Sequence, residues 1–188
     1  RRLVRQLVVQ RAHHYHHNAP PAAICPYLRR ARFYGVAMCD FKTIDHHLIA
    51  ALVERWRPET HTFHLPEGEM TITLEDVIYM LGLPIHGQAV TGATSGNWAV
   101  VIQRLLGVDV VGVRGVLVGS RLRMTWLDDY FTVISDDADE EMLIRRTRAY
   151  ILRLIGDMLC VDYSTLLVHM MYLPLLEDLD HTATYSWG

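Results

Sequence analysis

A series of amphipathic stretches, most of them followed by a glycine or a proline, constrains the fold of this chain more than any other feature. Apolar residues recur every three or four positions in these stretches, which predicts helices with one buried face. Gly35, Pro58, Gly82 and Gly107 follow four of them, where helices commonly stop. The expected helices cover residues 26–33, 43–56, 74–81, 124–131, 136–160 and 164–173, together with one that begins at Ser95 or Asn97 and ends at 106.

Two of these helices are predicted to turn an apolar stripe toward the core. The stripes consist of Ile44, Leu48, Ala51, Leu52 and Trp56 in the first helix, and of Leu74, Val77, Ile78 and Leu81 in the second. Thr73 precedes the second helix and Asp76 lies three residues later, a spacing typical of a capping box. The nearly all-apolar stretch 164–173 is expected to be a helix buried on most sides.

A β-hairpin is predicted between these two helices. Residues 62–65 and 70–73 alternate in polarity, and the turn residues Pro66–Glu69 separate them. Residues 88–90 are a candidate third strand, and the stretch 108–118 fits either a strand or a loop. We therefore predict a mainly α fold, a single helical domain with a small β-hairpin.

Charge divides the chain into two parts. Residues 1–39 hold seven arginines and no acid, while the remainder holds 11 basic and 21 acidic side chains. We predict a basic, His-rich, poorly ordered arm at 1–25 and one domain at 26–188 that is incomplete at its C-terminal end. The arm could attract nucleic acid. The favoured interpretation is that Arg29, Arg30 and Arg32 are solvated and pair with acids of the domain.

The composition argues against several other classes of protein. No apolar run reaches the roughly 18 residues that a membrane helix needs, so no membrane partner is expected. Cys25, Cys39 and Cys160 are too widely spaced for a disulfide framework or a paired metal site, which indicates a reducing compartment. All three are expected to be buried, unreactive thiols.

Catalytic chemistry has little support in the sequence. Lys42 is the one lysine that could form a Schiff base with pyridoxal phosphate, and no glycine-rich phosphate loop accompanies it. His61 and His64 are three positions apart, so on a strand they point to opposite faces. Asp128-Asp129 and Asp136-Asp137 lack the histidine and asparagine partners of a two-metal phosphatase. We predict no catalytic, cofactor-binding or metal-binding residues, and keep an unrecognised hydrolase or transferase as the least favoured alternative.

A cluster between the first long helix and the hairpin is the best candidate for a binding surface. It consists of Arg55, Arg57, Glu59 and His61 around Trp56. The favoured interpretation is local bracing, in which Trp56 fills the core and the arginines pair with nearby acids or hairpin carbonyls. The alternative is a contact surface, because Arg and Trp are enriched in interface hot spots. The edge at residues 60–62 could then accept a strand from a partner.

Several motifs resemble one known family. Residues 41–66, FKTIDHHLIAALVERWRPETHTFHLP, are similar to the plant mobile domain, also called the aminotransferase-like plant mobile domain. The resemblance continues through TITLEDV at 71–77, LGLPI at 81–85, VTG at 90–92, WL at 126–127, RAY at 148–150 and YSWG at 185–188. It covers about residues 26–188.

The resemblance carries expectations about biology but none about individual functional residues. The family occurs in plant transposable elements and in maintenance-of-meristems proteins, and some members also carry a serine/threonine phosphatase 7 long-form domain. It implies a nuclear role in transposon silencing and genome or meristem maintenance. We therefore expect a non-catalytic protein-interaction module with phosphatase-like or other plant-mobile-domain partners. Nucleic-acid binding through the basic arm is the alternative.

Overall fold

The computed structural model describes residues 19–39, 45–131, 137–160 and 166–188. Several residues considered above lie outside these ranges: Arg1–Asn18, Lys42, Ile44, Asp136 and Ser164. About 51% of the described residues are helical, and two small antiparallel sheets complete the fold, so the predicted mainly α class is confirmed. Within the described ranges no helix is both long enough and apolar enough to cross a bilayer.

Eight α-helices and six short strands make up the described structure. The helices are α1 Cys25–Arg30, α2 Tyr34–Met38, α3 His46–Arg55, α4 Leu74–Leu81, α5 Trp98–Leu106, α6 Met124–Phe131, α7 Glu140–Leu154 and α8 Leu179–Thr182. The strands are β1 Trp56–Arg57, β2 Thr62–Leu65, β3 Gly68–Met70, β4 Leu117–Val118, β5 Arg121–Arg123 and β6 Leu167–His169. Turns of 3₁₀ helix cover Ala22–Ile24 and Met170–Leu176, and a π-helical turn, Ile155–Leu159, extends α7.

Local capping signals placed several helices correctly. Asn97 accepts a hydrogen bond from the Val100 backbone N–H and begins α5, which ends at the left-handed Gly107. Asp139 caps α7 in the same way, and the acids of its first turn face the positive pole of the helix dipole. The bounds predicted for α6 are also confirmed.

The prediction of one helix over 26–33 ending at Gly35 was wrong. The chain leaves the helical conformation after α1, where Arg32 takes a φ of 63°, and α2 begins at Tyr34. Gly35 lies inside α2, at the point where this helix approaches α4 very closely. A Cβ on Gly35 would lie 2.4 Å from the Leu81 carbonyl oxygen, so a glycine is required by contact with another helix.

The described part of the apolar stretch 164–173, residues 166–173, is not the α-helix that was predicted. It forms β6, which pairs antiparallel with β5, and then a 3₁₀ turn that contains Pro174. A short apolar run cannot be assigned to helix or strand from periodicity alone, and the partner strand lies more than 40 residues earlier in the chain. Residues 88–90 form a single parallel bridge between Gln88 and Tyr185 instead of a strand, and most of 108–118 is loop before β4.

The core is built around α7. This helix packs against α1, α5, α6 and the 3₁₀ turn at 170–176. The largest fully buried side chains are Phe33, Ile24, Leu28, Leu83, Ile102, Leu106, Leu122, Met124, Ile151, Leu152, Leu154 and Ile155. Ile24 therefore belongs to the core although it lies within the predicted arm.

Two arginines of α7 make polar contacts at this core. Arg148 donates to the carbonyl oxygens of Leu105, Leu176 and Glu177. These carbonyls lie at the ends of α5 and of the 3₁₀ helix, where backbone acceptors lack partners within their own helix. Burial lowers the pKa of the Arg148 guanidinium, which nevertheless remains charged. Arg153 is 8% exposed and donates from Nε to Asp128 Oδ1 at 2.8 Å.

The C-terminal residues join the core to the base of α4. Trp187 is 8% exposed, meets Phe33 edge to face at 5.2 Å, and donates from Nε1 to the Thr182 carbonyl at 2.9 Å. The Gly188 N–H donates to the Pro84 carbonyl at 3.0 Å.

The Arg30 side chain is paired as expected, whereas the three cysteines are less buried than expected. Arg30 makes a bidentate pair with Asp180, which lowers the pKa of that carboxyl, so the predicted pairing with the acidic domain is confirmed for Arg30. Cys25 and Cys39 are half-buried and Cys160 is exposed, so the expectation of three buried thiols was wrong. All three are free, and burial raises the pKa of Cys39.

Candidate functional site

Residues 45–82 differ from the remainder of the described structure in having no buried core. We call this segment, which comprises α3, β1–β3 and α4, the lobe. No described side chain in the lobe is buried, whereas buried side chains are frequent in 24–37 and resume at Leu83. The lobe therefore contributes little to the core, which lies in the remainder of the described structure. We call that remainder the body.

The lobe also concentrates exposed apolar side chains. More than half of the large exposed apolar side chains found in the described structure lie in it: Leu48, Val53, Trp56, Met70, Ile72, Leu74, Ile78, Tyr79 and Met80. Tyr79 is 82% exposed, and Ile72 and Met80 are each 69% exposed. Concentrations of exposed apolar side chains mark interaction sites more often than scattered single residues do, so this segment is the best candidate in the described structure.

The predicted burial of the two apolar stripes was wrong for part of each stripe, while Ala51, Leu52, Val77 and Leu81 are half-buried. Leu48 in α3 is 56% exposed, Leu74 in α4 is 56% exposed, and Ile78 is 41% exposed. Trp56, which was expected to fill the core, is 37% exposed. The spacing of apolar residues shows which face of a helix is apolar. Whether another element packs against that face depends on the tertiary structure.

The sheet of the lobe separates apolar from polar side chains. β2 is the central strand, and its register aligns Trp56 with Phe63 and Phe63 with Met70. Directly opposed residues of antiparallel strands share a face, so these three side chains form one apolar row, with the Trp56 and Phe63 ring centroids 4.9 Å apart. Arg57, which is opposed to Thr62, belongs to the other face.

The four predicted surface residues are all exposed, but they do not form one cluster of interacting side chains. Arg55 turns back along α3, where its Nη1 donates to the Ala51 carbonyl at 3.0 Å. Arg57 lies on the polar face of the sheet, and Glu59 lies in the turn that follows β1. His61 has a φ of 54° and an edge contact with Trp56 at 6.3 Å. No pairing of these arginines with Glu54, Glu59 or a hairpin carbonyl is found in the described residues.

The edge proposed for strand addition is already occupied. Thr62 is paired with Arg57 on one side, and the Thr71 hydroxyl donates to the His61 carbonyl on the other at 2.9 Å. The open edges of this sheet are β1 and β3, which are only two and three residues long. Strand addition at residues 60–62 is therefore excluded.

Close contacts fix the base of α4 to the body. Gly35 approaches the Leu81 carbonyl, and the Cys39 thiol lies 3.3 Å from the Met80 carbonyl oxygen. Gly188 lies against Val77 and Ile85. These contacts position α4 while its outer side chains, including Tyr79, remain exposed.

The second half of the lobe is acidic as well as apolar. It carries Glu59, Glu67, Glu69, Glu75 and Asp76, and no lysine or arginine occurs between Arg57 and Arg104. Glu69 is 3.9 Å from His64, a contact that becomes an ion pair only when the histidine is protonated. The exposed apolar side chains from Met70 to Met80 therefore belong to a segment in which glutamate and aspartate occur without lysine or arginine.

A capping box begins α4 as the sequence predicted. The Thr73 hydroxyl accepts from the Asp76 N–H, and Asp76 Oδ2 accepts from both the N–H and the hydroxyl of Thr73 at 2.7 Å. The backbone bond and then the hydroxyl bond lower the pKa of Asp76 below its ordinary value of 3.8. Gly82 ends the helix in the left-handed conformation.

This capping box gives a pH-dependent prediction. The pKa of Asp76 is lowered on folding, so its stabilising effect is present above the unfolded pKa and is lost as the pH falls through the folded pKa. We expect a carboxyl titration followed by NMR to give Asp76 a pKa below 3.8. Thr73→Ala removes the hydroxyl bond but keeps the backbone bond, so it should raise this pKa only part of the way. An unchanged pKa in Thr73→Ala would contradict the hydroxyl contribution.

One serine–histidine pair was not visible in the sequence. Ser120 Oγ and His169 Nε2 are 3.0 Å apart, although 49 residues separate them in the chain. The Met171 N–H donates to His169 Nδ1 at 3.1 Å, so a neutral ring carries its proton on Nε2 and donates to Ser120. A nucleophilic serine needs the opposite arrangement, with Nε2 as acceptor. The pair therefore joins the β4–β5 turn to the end of β6 and does not activate Ser120.

Metal-ligand types do not converge in the described residues either. No group of three or more His, Cys, Asp or Glu residues that could hold a metal ion is found among them. His61 and His64 are placed differently, one in the turn before β2 and the other within it.

Comparison with known proteins identifies the family. The plant mobile domain model matches residues 32–188. The serine/threonine-protein phosphatase 7 long form homolog of Arabidopsis thaliana is 47% identical over 165 residues, which cover 88% of this chain and 12% of that protein. Protein MAIN-LIKE 2 of the same plant is 44% identical, with 86% of this chain and 24% of that protein covered.

A third relative shows the same partial coverage. Protein MAINTENANCE OF MERISTEMS of Arabidopsis thaliana is 35% identical over 163 residues, which cover 86% of this chain and 34% of that protein. The chain thus spans about a third or less of the length of these relatives. No solved structure gives a significant match. The family model covers most of the chain, and three relatives agree with it, so this chain belongs to the plant mobile domain family.

Proposed function

We propose that this domain is a non-catalytic protein-interaction module and that the lobe is its docking surface. The observation that carries the proposal is the group of nine large apolar side chains that the lobe leaves exposed. At roughly half exposure, nine side chains of this size present on the order of 700 Å². Standard protein interfaces bury about 800 Å² on each partner. The lobe is therefore large enough to be one side of a specific complex.

The partners we propose are phosphatase-like proteins or other plant-mobile-domain proteins. One relative is named as a phosphatase 7 long form homolog, and another as a protein of meristem maintenance. Most of each relative lies outside the matched region, so any activity of those proteins can reside elsewhere in them. We accordingly place this domain in a nuclear protein of transposon silencing and genome or meristem maintenance.

The alternative of nucleic-acid binding through the basic arm receives less support. Of the seven arginines in residues 1–39, Arg30 pairs with Asp180 and Arg29 lies 4.0 Å above the Tyr34 ring, so two are engaged within the domain. The body that follows carries a net charge of opposite sign to a phosphate-binding surface.

The proposal is tested by affinity purification of the full-length protein that contains this domain from plant nuclei. The wild type is compared with Ile72→Ser/Tyr79→Ser, which removes two of the most exposed apolar side chains of the lobe. Both positions are exposed, so the fold should be retained, with losses of stability within about 0.5 kcal/mol. Specific partners should be lost, because truncating central apolar contacts costs about 1–2 kcal/mol or more at each site.

Val111→Ser/Val113→Ser is the matched control for this experiment. These valines are 75% and 51% exposed and lie in the loop after α5, outside the lobe. The control should retain every partner. Arg55→Ala/Arg57→Ala should weaken the same partners while circular dichroism shows an unchanged fold, because both side chains are exposed in the lobe and flank Trp56 in the chain. Recovery of the same partners with the wild type and with all three double variants would show that the lobe is not the docking surface.

A further inference from the structure

We propose that the surface from Gly68 to Met80, which we call the acidic apolar face, binds a cationic and apolar peptide segment of a partner protein. This inference rests on the proposed function and specifies the chemistry of what docks there. It uses a part of the lobe that the predicted cluster around Arg55 and Arg57 does not include.

The apolar contribution comes from side chains that project from β3 and α4 and from the link between them. Met70 is 58% exposed, Ile72 and Met80 are each 69% exposed, and Tyr79 is 82% exposed. Methionine is unbranched and polarisable, so it adapts to differently shaped apolar partners. Tyrosine provides a large contact area at a low entropic cost. Such a surface suits a peptide segment that brings its own apolar side chains.

The charge of the partner follows from the acids of the same face. Glu67, Glu75 and Asp76 are exposed, and no lysine or arginine occurs in the segment between Arg57 and Arg104. Glu69 lies on the other face of β3, where its carboxylate accepts from the Thr62 hydroxyl. Docking an apolar partner would withdraw the carboxylates of Glu67, Glu75 and Asp76 from water, which is unfavourable unless the partner supplies cations. A cationic segment satisfies this requirement and is also attracted at long range.

The same charges argue against a second copy of this chain as the occupant. Two acidic apolar faces brought together would place carboxylates opposite carboxylates, and like charges across an interface are destabilising. A neutral apolar segment would leave the carboxylates without compensation. The combination of exposed Met, Ile and Tyr side chains with acids, in a segment that has no lysine or arginine, therefore favours an occupant rich in lysine or arginine and in apolar residues.

The test measures fluorescence anisotropy of labelled peptides with the full chain. The first probe is an amphipathic leucine–lysine peptide of about four helical turns. A second probe has its leucines replaced by serine, and a third has its lysines replaced by glutamate. The first should bind, with an affinity that falls as salt is added. The other two should bind at least tenfold more weakly, because each lacks one of the two required properties.

Variants of the chain locate the binding surface. Glu67→Gln/Glu75→Gln should weaken the first probe about fivefold at low ionic strength, because each exposed pair contributes a few-fold. Ile72→Ser/Tyr79→Ser should weaken it at least as much. The control Asp129→Asn/Glu140→Gln removes the same charge from exposed acids outside the lobe and should leave affinity within about twofold.

Several results would overturn the proposal. Equal losses in Glu67→Gln/Glu75→Gln and in Asp129→Asn/Glu140→Gln would show attraction by net charge alone. A dimer that Ile72→Ser/Tyr79→Ser dissociates would make a second copy the occupant. Binding that appears only after Arg1, Arg2, Arg5 and Arg11 are replaced by serine would make this chain's own N-terminal residues the occupant. In each case the nuclear purification still decides the proposed function independently, since partner loss in the lobe variant does not depend on the peptide result.

Discussion

Arg153→Ala is expected to lower the free energy of unfolding by about 3–5 kcal/mol, the usual loss when one member of a buried ion pair is removed. The Arg153 side chain is 10% exposed and pairs with Asp128 at 2.8 Å and with Asp157 at 3.8 Å. The Asp157 side chain is 9% exposed, so the substitution removes the Arg153 cation from beside a largely buried carboxylate. Urea denaturation followed by circular dichroism measures the change.

Arg145→Ala is the control for this prediction, because it removes an arginine from the same helix. Arg145 pairs with Glu141 four residues away, and its side chain is 38% exposed. Exposed helical pairs contribute about 0.3–0.5 kcal/mol, so the control should unfold at nearly the wild-type urea concentration. Similar small losses in both variants would show that Asp128 and Asp157 do not depend on Arg153.

Trp187→Ala should lower the free energy of unfolding by about 3–5 kcal/mol, as expected for truncating a buried tryptophan. Trp187 meets Phe33 in the core, and its indole N–H donates to the Thr182 carbonyl. Trp187→Phe keeps a ring beside Phe33 but removes the hydrogen bond, so it should cost about 1–2 kcal/mol less than Trp187→Ala. Equal stabilities of the two variants in urea denaturation would contradict this account of the packing.

The features that could be predicted from sequence are those set by neighbouring residues. The capping box of Thr73 and Asp76, the stop at Gly107 and the start of α5 each depend on a few positions of local sequence. The first two were located correctly, and the structure selects Asn97 from the two predicted starts of α5. The family was also recognised, because the block at 41–66 is long and specific.

The features that were missed depend on partners distant in the sequence. β6 is a strand because β5 offers it a ladder, and Gly35 lies within a helix because α4 packs against it. Nothing in the local sequence distinguishes Arg153 from the other arginines of α7, yet its neighbours place it in the core. Ser120 and His169 have no sequence signal that links them.

The candidate surface shows the same division between local and tertiary information. Amphipathic stripes at 43–56 and 74–81 were visible in the sequence, and they predicted buried faces, because apolar stripes usually are buried. The described structure leaves Leu48, Leu74 and Ile78 exposed. The role of Arg55, Arg57, Glu59 and His61 in binding stays a prediction, and it depends on whether a partner contacts the lobe.

Hydrogen–deuterium exchange of the full-length protein, alone and in the complex purified from plant nuclei, tests the central claim most directly. A partner bound to the lobe should slow exchange in residues 68–80, while α5 and α7 exchange as they do in the free protein. Slower exchange confined to α5 and α7, with residues 68–80 unchanged, would contradict the assignment of the lobe as the docking surface.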